Sequence, residues 1–273
     1  MSELDSGKGH RDENFPVASW LLKRKHRAPI MAFYRFARAA DDIADHPSAP
    51  PEDKLARLAD MRAGLTGPGA PEAMALAATV KARGLDLVHA QDLLGAFVQD
   101  VTRSRYGTWE ALIAYCRISA MPVGRFVLEV HGEDRAIWPL SDALCAALQV
   151  INHLQDCGKD YHAIDRVYVP TDNLEAAGIG VEALGEAKAS PELRGVIAGL
   201  AEQTRLLLQR SAPFAAHIRD RRLSAEVAVI QRIAEDLTAL LLTRDPLSEP
   251  VHHSKPRAVW LALGAVLRNG ARR

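Results

Sequence analysis

The stretch Arg27-Ala-Pro-Ile-Met-Ala-Phe-Tyr-Arg-Phe-Ala-Arg-Ala-Ala-Asp-Asp-Ile-Ala-Asp45 carries the pattern on which the fold depends. Apolar residues recur at positions 30, 33, 36/37, 40 and 43/44, which is the period of a helix that buries one face. His46-Pro47 and then Pro50-Pro51 interrupt the pattern. The stretch therefore predicts an amphipathic helix that reaches Asp45.

The rest of the chain repeats this helical pattern. Pro51-Glu52-Asp53 predicts the start of a second helix, because proline and acidic residues are favoured in the first helical turn. Further helices, separated by joints rich in Gly, Pro or Asn, are predicted at 71–83, 89–104, 108–131, 139–162, 190–220 and 222–244. No window shows the alternation of a strand, and the one long irregular segment is 163–189. The sequence predicts an all-α protein.

Composition is compatible with that fold. The chain has 273 residues, of which 48% are hydrophobic and 25% charged, which is ordinary globular composition. The length alone allows one large domain or two small ones. Because no shift in composition marks a linker, we expect a single helical domain over 1–273, with a polar N-terminal tail at 1–12.

Charge and cysteine content restrict the classes of function and location. The 34 basic and 34 acidic residues give a formal net charge of zero, which disfavours a nucleic-acid partner. Three cysteines without C-x-x-C spacing predict neither a disulfide framework nor a zinc site. The N-terminus lacks the apolar region of a secretory signal. The sequence also shows no run of about 18 apolar residues, which a membrane-spanning helix would need. We therefore expect a cytoplasmic protein.

The C-terminal segment 255–273 allows two interpretations. Lys255-Pro-Arg257 precedes the apolar stretch 258–267, which contains Trp260, and Arg268, Arg272 and Arg273 follow it. This pattern suits a short interfacial helix in peripheral contact with anionic lipid. It equally suits a last core helix with a solvated basic tail.

The first acidic motif comprises Asp41, Asp42 and Asp45. Asp41 and Asp45 are four residues apart and Arg38 lies three before Asp41, so the three side chains share one helix face. Carboxylates one turn apart repel each other and, near a helix C-terminus, also oppose the helix dipole. The alternatives are a solvated acidic face and a hard cation held by oxygen ligands, and the dipole argument favours the cation.

The second acidic motif comprises Asn152, Asp156 and Asp160. With Gln149 these residues step by three, four and four, which places polar side chains along one stripe of an otherwise apolar helix. Burying such groups is costly unless a partner satisfies them, so the stripe indicates a ligand. Two helices that each carry Asp-x-x-x-Asp predict a site between facing helices, where Mg²⁺ joins carboxylates to a polyphosphate.

A third segment surrounds Pro122. A proline within helical periodicity predicts a kink, and the small residues Ala120 and Gly124 allow close approach. The kink either makes room for a ligand or serves packing alone.

Together these segments resemble the squalene/phytoene synthase family of head-to-head prenyl transferases, over residues 13 to 245. Within the family, the resemblance is closest to the branch that forms hydroxysqualene for hopanoids. It rests on Glu13-Asn-Phe-Pro-Val-Ala-Ser19, on Ser119-Ala-Met-Pro-Val-Gly-Arg125, and on Gln155 before Asp156. Phytoene- and presqualene-forming members tend to have arginine at the position of Gln155 and a Gly-x-Val-Gly kink.

The resemblance implies a fold and a set of site residues. The fold is a single-domain isoprenoid-synthase helical bundle with a central cavity. Tyr115 lines the reaction cavity and is catalytic together with Asp41 and Asp156. The residues implied to bind Mg²⁺ are Asp41, Asp42, Asp45, Asn152, Asp156 and Asp160. The residues implied to bind the substrate are Asn14, Phe15, Tyr34, Arg38, Gln149, Gln155 and Arg166. Asp165 stands where a glycine is common before that arginine.

The implied reaction is an ionisation. Mg²⁺ neutralises a leaving diphosphate, and the carbocation forms in an apolar cavity. The expected substrate is presqualene diphosphate, handed over from a presqualene diphosphate synthase, and water captures the cation to give hydroxysqualene. No NADPH is expected, because the weak G-x-G-x-x-A match at Gly178-Ile-Gly180-Val-Glu-Ala183 has no predicted strand before it.

Three alternatives remain at this stage. Within the family, the chain could instead condense two prenyl diphosphates head to head to presqualene diphosphate or a phytoene-type product. A helical binding protein would lack turnover, although both acidic motifs are complete. A nucleotide-processing metal hydrolase would place histidine ligands in register with the acidic residues, whereas His46 and His153 stand at other offsets.

Overall fold

The computed structural model describes residues 23–271 of the chain, and within that range the protein is helical, without a β-strand. The prediction of an all-α protein is confirmed. The helices, in chain order, are α1 (Arg24–Ala44), α2 (Pro51–Gly64), α3 (Pro71–Arg83), α4 (Val88–Thr102), α5 (Trp109–Ser119), α6 (Met121–His131), α7 (Trp138–Gln155), α8 (Cys157–Ile164), α9 (Thr171–Ala176), α10 (Pro191–Ser211), α11 (Phe214–His217), α12 (Arg221–Leu241) and α13 (Lys255–Ala271).

Helix starts follow the sequence closely, whereas three long predicted helices are divided, among them the window 190–220, which forms α10 and α11. Helices α2 and α3 begin at the prolines that predicted them. The window 108–131 is broken at Ala120, immediately before the Met121-Pro122 pair, and the window 139–162 is broken at Asp156. Helix α9 lies inside the segment predicted to be irregular, so that part of the prediction was wrong.

The chain divides into two compact units, of which the first comprises the described residues up to 103 together with 122–135. In this unit α1 packs against α2, α3 and α4. The predicted apolar face of α1 is buried, and the ring of Phe33 stacks on Phe126 of α6 with centroids 4.3 Å apart. The opposite face leaves polar side chains near the C-terminus of α1 partly accessible.

The second unit comprises residues 104–121 and the described residues from 136 onward. Helix α10 packs against α7 and α12, and α12 also carries α13. Ile151, Leu200 and Leu237 are among the fully buried side chains of these helices. Burial of each such side chain contributes roughly 1.5–3 kcal/mol. The polar stripe of α7 is thus positioned by an apolar core on its other faces.

All three cysteines of the chain are free thiols. Burial raises the pKa of Cys116 and of Cys157 to about 12, so both thiols stay protonated at neutral pH. The prediction that the cysteines form no disulfide is confirmed.

One stretch of the described chain, Trp109–His131, is long and apolar enough to pass a test for membrane-spanning helices. It contains α5 and α6, and half of its most apolar window is buried inside the structure. Buried core helices pass the same test, so the stretch is weak evidence for a membrane span. The sequence analysis expected no stretch of this kind, and the structure differs from that expectation here.

Candidate functional site

The first acidic motif lies at the C-terminal end of α1. Arg38 donates a hydrogen bond from Nη1 to Asp41 Oδ2 (2.7 Å) and another from Nη2 to Asp42 Oδ1 (2.8 Å). The backbone N–H of Asp45 donates to the carbonyl of Asp41 (2.9 Å), so both aspartates keep the four-residue helical spacing. One guanidinium therefore offsets the repulsion between neighbouring carboxylates.

The chain also stabilises the helix end that carries this motif. Lys54 of α2 donates from Nζ to the carbonyl of Ala44 (3.0 Å), which places a positive charge at the C-terminus of α1. Tyr34 lies one turn before Arg38 and is half-buried. The structure thus groups Tyr34, Arg38 and the first acidic motif on one helix.

The second acidic motif spans the junction of α7 and α8. The backbone N–H of Asp156 donates to the carbonyl of Asn152 (3.0 Å), and that of Asp160 donates to the carbonyl of Asp156 (2.8 Å). The helical hydrogen-bond spacing therefore continues through the break between α7 and α8. All three side chains are half-buried, and they follow one another at one-turn intervals.

Both motifs offer oxygen donors that suit Mg²⁺. Among residues 23–271, no group of three or more His, Cys, Asp or Glu side chains is arranged to hold a metal ion by protein ligands alone. Mg²⁺ is typically held by one or two carboxylates together with water and substrate phosphates. Partly accessible carboxylates at one-turn spacing fit that mode of binding, in which the substrate completes the coordination.

A buried aromatic cluster lies beside the second motif and consists of Tyr106, Tyr115, His153 and Tyr168. His153 stacks on Tyr168 with ring centroids 3.4 Å apart, and Tyr106 stacks on Tyr168 at 5.5 Å. The hydroxyl oxygens of Tyr115 and Tyr168 are 3.5 Å apart. Tyr115, predicted to line the reaction cavity, is therefore packed among three further rings.

Contacts between distant parts of the chain assemble this cluster. The N–H of Val167 donates to the carbonyl of Ser104 (2.8 Å), and that of Thr171 donates to the carbonyl of Tyr106 (2.9 Å). These bonds align segment 104–107 with segment 167–171. Since Tyr106 and Tyr168 lie on paired extended segments, their rings can stack.

His153 is uncharged in this environment. Burial, together with the smaller effect of the nearby positive charge of Arg166, lowers the pKa of its ring to about 3. Gln149 lies one turn earlier, and its amide donates to the ring Nε2 (3.1 Å), which is the acceptor of a neutral imidazole protonated at Nδ1. The cluster is therefore aromatic and neutral.

Arg166 connects the aromatic cluster to the second acidic motif. Its side chain is buried, and Nη1 donates to the hydroxyl of Tyr168 (3.4 Å). Its backbone N–H donates to the carbonyl of Asp160 (3.2 Å). A buried guanidinium beside a carboxylate motif suits binding of an anionic ligand.

The backbone conformation of Asp165 explains why glycine is common at this position in the family. Its φ angle is +50°, in the left-handed region that glycine adopts most easily and aspartate tolerates. Arg105 forms an ion pair with the Asp165 carboxylate and also donates to its carbonyl. The substitution thus preserves the backbone turn that positions Arg166.

The remaining predicted substrate-binding residues are Gln155, Asn14 and Phe15. Gln155 is buried, and its amide donates to the carbonyl of Val251 and lies 3.5 Å from the ring Nδ1 of His252. It therefore holds the segment that precedes α13, and its contact with substrate stays a prediction. Asn14 and Phe15 lie outside the described residues.

The sequence analysis missed Tyr106, His153 and Tyr168 as members of the site. Tyr168 could have been found from the sequence, because residues two apart in an extended segment share a face and Tyr168 lies two residues after Arg166.

The glycine motif that the sequence analysis rejected as a dinucleotide site lies in a turn at the end of a helix. Gly178 has a left-handed φ of 72° just beyond α9, and a 3₁₀ helix, Val181–Gly185, follows.

Comparison with known proteins decides the family. The sequence model of the squalene/phytoene synthase family matches residues 9–257 of this chain. The chain belongs to the squalene/phytoene synthase family. It is an enzyme of that family, as the sequence predicted.

Similar proteins cover nearly the whole chain. A hydroxysqualene synthase of Zymomonas mobilis is 56% identical over 266 residues, which cover 96% of this chain and 90% of that protein. A hydroxysqualene synthase of Rhodopseudomonas palustris is 53% identical over 274 residues, which cover 100% and 94%. A squalene synthase of Alicyclobacillus acidocaldarius has a crystal structure that matches with a TM-score of 0.74 and 30% identity, over 85% of this chain and 89% of that one. These matches confirm the all-α isoprenoid-synthase fold.

Proposed function

We propose that this enzyme converts presqualene diphosphate and water to hydroxysqualene and diphosphate, with Mg²⁺, as a step of hopanoid biosynthesis. Two curated relatives that are more than 50% identical are named hydroxysqualene synthase. The observation that carries the proposal is the neutral aromatic cluster of the second unit, which contains Tyr115 and whose Tyr168 accepts a hydrogen bond from the buried Arg166. That arrangement suits a substrate with a diphosphate at one end and a developing carbocation beside it.

The diphosphate end is bound by charge. We infer that each acidic motif has oxygen donors that would hold Mg²⁺, and the ion would supply positive charge to the leaving diphosphate. Arg38 and Arg166 add fixed positive charge that suits phosphate oxygens. When the C–O bond breaks, its electron pair leaves with the diphosphate, and the substrate carbon becomes cationic.

The aromatic cluster suits the cationic end. The faces of aromatic rings attract cations, by about 2 kcal/mol or more where water is excluded. Because His153 is neutral, it adds no positive charge that would repel the cation. A pKa near 3 also makes it too weak a base to compete for protons on the substrate.

Water completes the reaction. The oxygen of one water molecule forms a bond to the carbocation and then loses a proton, so the products are hydroxysqualene, diphosphate and H⁺. Direct capture by water requires no hydride donor, and we therefore propose that turnover is independent of NADPH.

The test is an isotope experiment with purified protein. Presqualene diphosphate and Mg²⁺ are incubated in ¹⁸O-labelled water, with and without NADPH, and the triterpene is analysed by mass spectrometry. One heavy oxygen in the alcohol, unchanged by NADPH, supports the proposal. Squalene that appears only with NADPH would contradict it. Consumption of farnesyl diphosphate with accumulation of presqualene diphosphate would assign the enzyme to the condensing branch.

The metal assignment has its own test. In Asp41→Asn and Asp156→Asn we expect at least a hundredfold loss of turnover, about 2.7 kcal/mol in the barrier. Asp60→Asn on α2 and Asp172→Asn on α9 are matched controls, because both side chains are exposed. Calorimetry gives a second readout, since Mg²⁺ should bind more tightly when inorganic diphosphate is present. Turnover within threefold of the parent in both motif variants would refute the assignment.

A further inference from the structure

Helix α13 has two apolar faces. Leu261 and Ala265, one turn apart, are buried in the second unit. On the outer side Val259, Trp260 and Leu263 are 59%, 69% and 61% exposed, and Val266 continues the same face at 41%. An ordinary surface helix turns polar residues outward, so this outer face is unusual for a helix in water.

The helix is fixed at both ends, which keeps the outer face turned away from α12. At its N-terminal end, Arg257 donates to both oxygens of Asp236 from Nε (2.8 Å) and Nη2 (2.5 Å). His253 Nε2 lies 2.7 Å from the same carboxylate. At the other end, Asn269 donates to the hydroxyl of Ser224 (3.0 Å). Helices α12 and α13 therefore run antiparallel.

Positive charge is concentrated in the same part of the chain. Residues 250–273 contain no acidic residue, although the whole chain has a net charge of zero. The basic residues of this segment are Lys255, Arg257, Arg268, Arg272 and Arg273. Exposed Arg221 and Arg222 open α12, at the end that Asn269 of α13 contacts.

We propose that the outer face of α13, defined by Val259, Trp260, Leu263 and Val266, docks on an anionic lipid surface. An apolar stripe with tryptophan and flanking basic residues is the pattern of a helix that lies in a membrane interface. Each basic residue near such a surface adds attraction to anionic headgroups. A symmetric contact with a second copy would instead place the same cationic segments against each other. The lipid surface is thus the occupant that both the apolar face and the charge favour.

The experiment uses the full chain and vesicles of defined composition. Sedimentation with vesicles of phosphatidylglycerol and phosphatidylcholine should bring down the protein, and vesicles of phosphatidylcholine alone should bind it at least tenfold more weakly. The double variant Trp260→Ser/Leu263→Ser should bind the anionic vesicles at least tenfold more weakly than the parent. Leu206→Ser on α10 is the matched control, because Leu206 is 57% exposed, and it should bind as the parent does.

A second readout is independent of sedimentation. Brominated lipids should quench part of the parent's tryptophan fluorescence, and Trp260→Phe should remove most of that quenching. Circular dichroism checks that each variant is folded. Detergent-solubilised presqualene diphosphate should be turned over equally by the parent and the double variant, which separates this inference from the proposed function.

Three results would overturn the inference. One is a parent protein that ignores anionic vesicles, and another is a double variant that binds them as well as the parent. The third is concentration-dependent dimerisation by light scattering that the double variant abolishes, without vesicle binding, which would make the face a contact between copies of this chain.

Discussion

Replacement of His153 by a ring that cannot titrate should remove a defined part of the protein's acid sensitivity. In the parent, burial lowers the pKa of His153 to about 3 in the folded state, whereas the ordinary value is 6.5. The unfolded chain therefore binds a proton at a higher pH than the folded protein does. The stability of the fold is unaffected by this residue well above pH 6.5 and falls as the pH drops from there toward 3. His153→Phe keeps a ring for the stack on Tyr168 but has no titrating nitrogen.

The size of the effect follows from the two pKa values. At pH 5 the folded ring is neutral and the unfolded ring is almost fully protonated, which lowers the free energy of unfolding by about 2 kcal/mol relative to pH 8. Other titrating groups are shared by parent and variant, so the difference between the two slopes isolates His153. His153→Gln, which keeps a hydrogen-bond acceptor for Gln149, should give the same reduced slope.

Urea unfolding at pH 8 and pH 5, followed by circular dichroism, measures both slopes. The parent should lose about 2 kcal/mol more than either His153 variant over that interval. His162→Gln removes an exposed histidine of the same unit and should reproduce the parent's curve. If the free energies of unfolding of the parent and of His153→Phe fall in parallel between pH 8 and pH 5, within about 0.5 kcal/mol, the ring of His153 gains its proton in the folded state. The conclusion that the aromatic cluster is neutral would then be wrong.

Three further predictions concern stability, each measured by thermal unfolding at neutral pH. Asp236→Asn removes the carboxylate that receives the paired bonds from Arg257, and should cost about 2 kcal/mol, or about 4 °C in Tm; hydrogen exchange should rise in α13 before the rest of the second unit. Gly64→Ala at the end of α2 should cost about 1–3 kcal/mol, because an added Cβ would lie 2.9 Å from the backbone carbonyl oxygen of Ala70. Asp165→Gly should be tolerated within about 0.5 kcal/mol, whereas Asp165→Val should lose at least about 1 kcal/mol at its left-handed φ.

Matched variants check the reasons behind these numbers. Glu202→Gln removes a carboxylate from an exposed ion pair with Arg205 and should change stability by less than about 1 kcal/mol. Gly195→Ala on α10 adds a Cβ that meets nothing within 4 Å, so it should stabilise the helix by up to about 1 kcal/mol. A loss for Gly195→Ala as large as that for Gly64→Ala would show that close contact is not the cause.

Local sequence alone determined where most helices begin. Pro51 and Pro71 open α2 and α3 as predicted, because proline is favoured in the first turn of a helix and acidic residues follow it in both helices. The apolar face of α1 and the pairing of Arg38 with Asp41 also followed from spacing within one helix. These features depend on residues three or four apart, which the helical geometry itself brings together.

The tertiary structure decided what depends on contacts between distant residues. Tyr106 reaches Tyr168 only because segments 104–107 and 167–171 pair, and no local pattern specifies that partner. Gln155, chosen for its place in a motif, binds the carbonyl of Val251, 96 residues further along the chain. For α13 the sequence left a core helix and an interfacial helix open, and the structure shows one face buried and the other exposed. Propensity and periodicity are local properties, whereas the chain's packing determines which side of a helix meets another helix and which meets solvent.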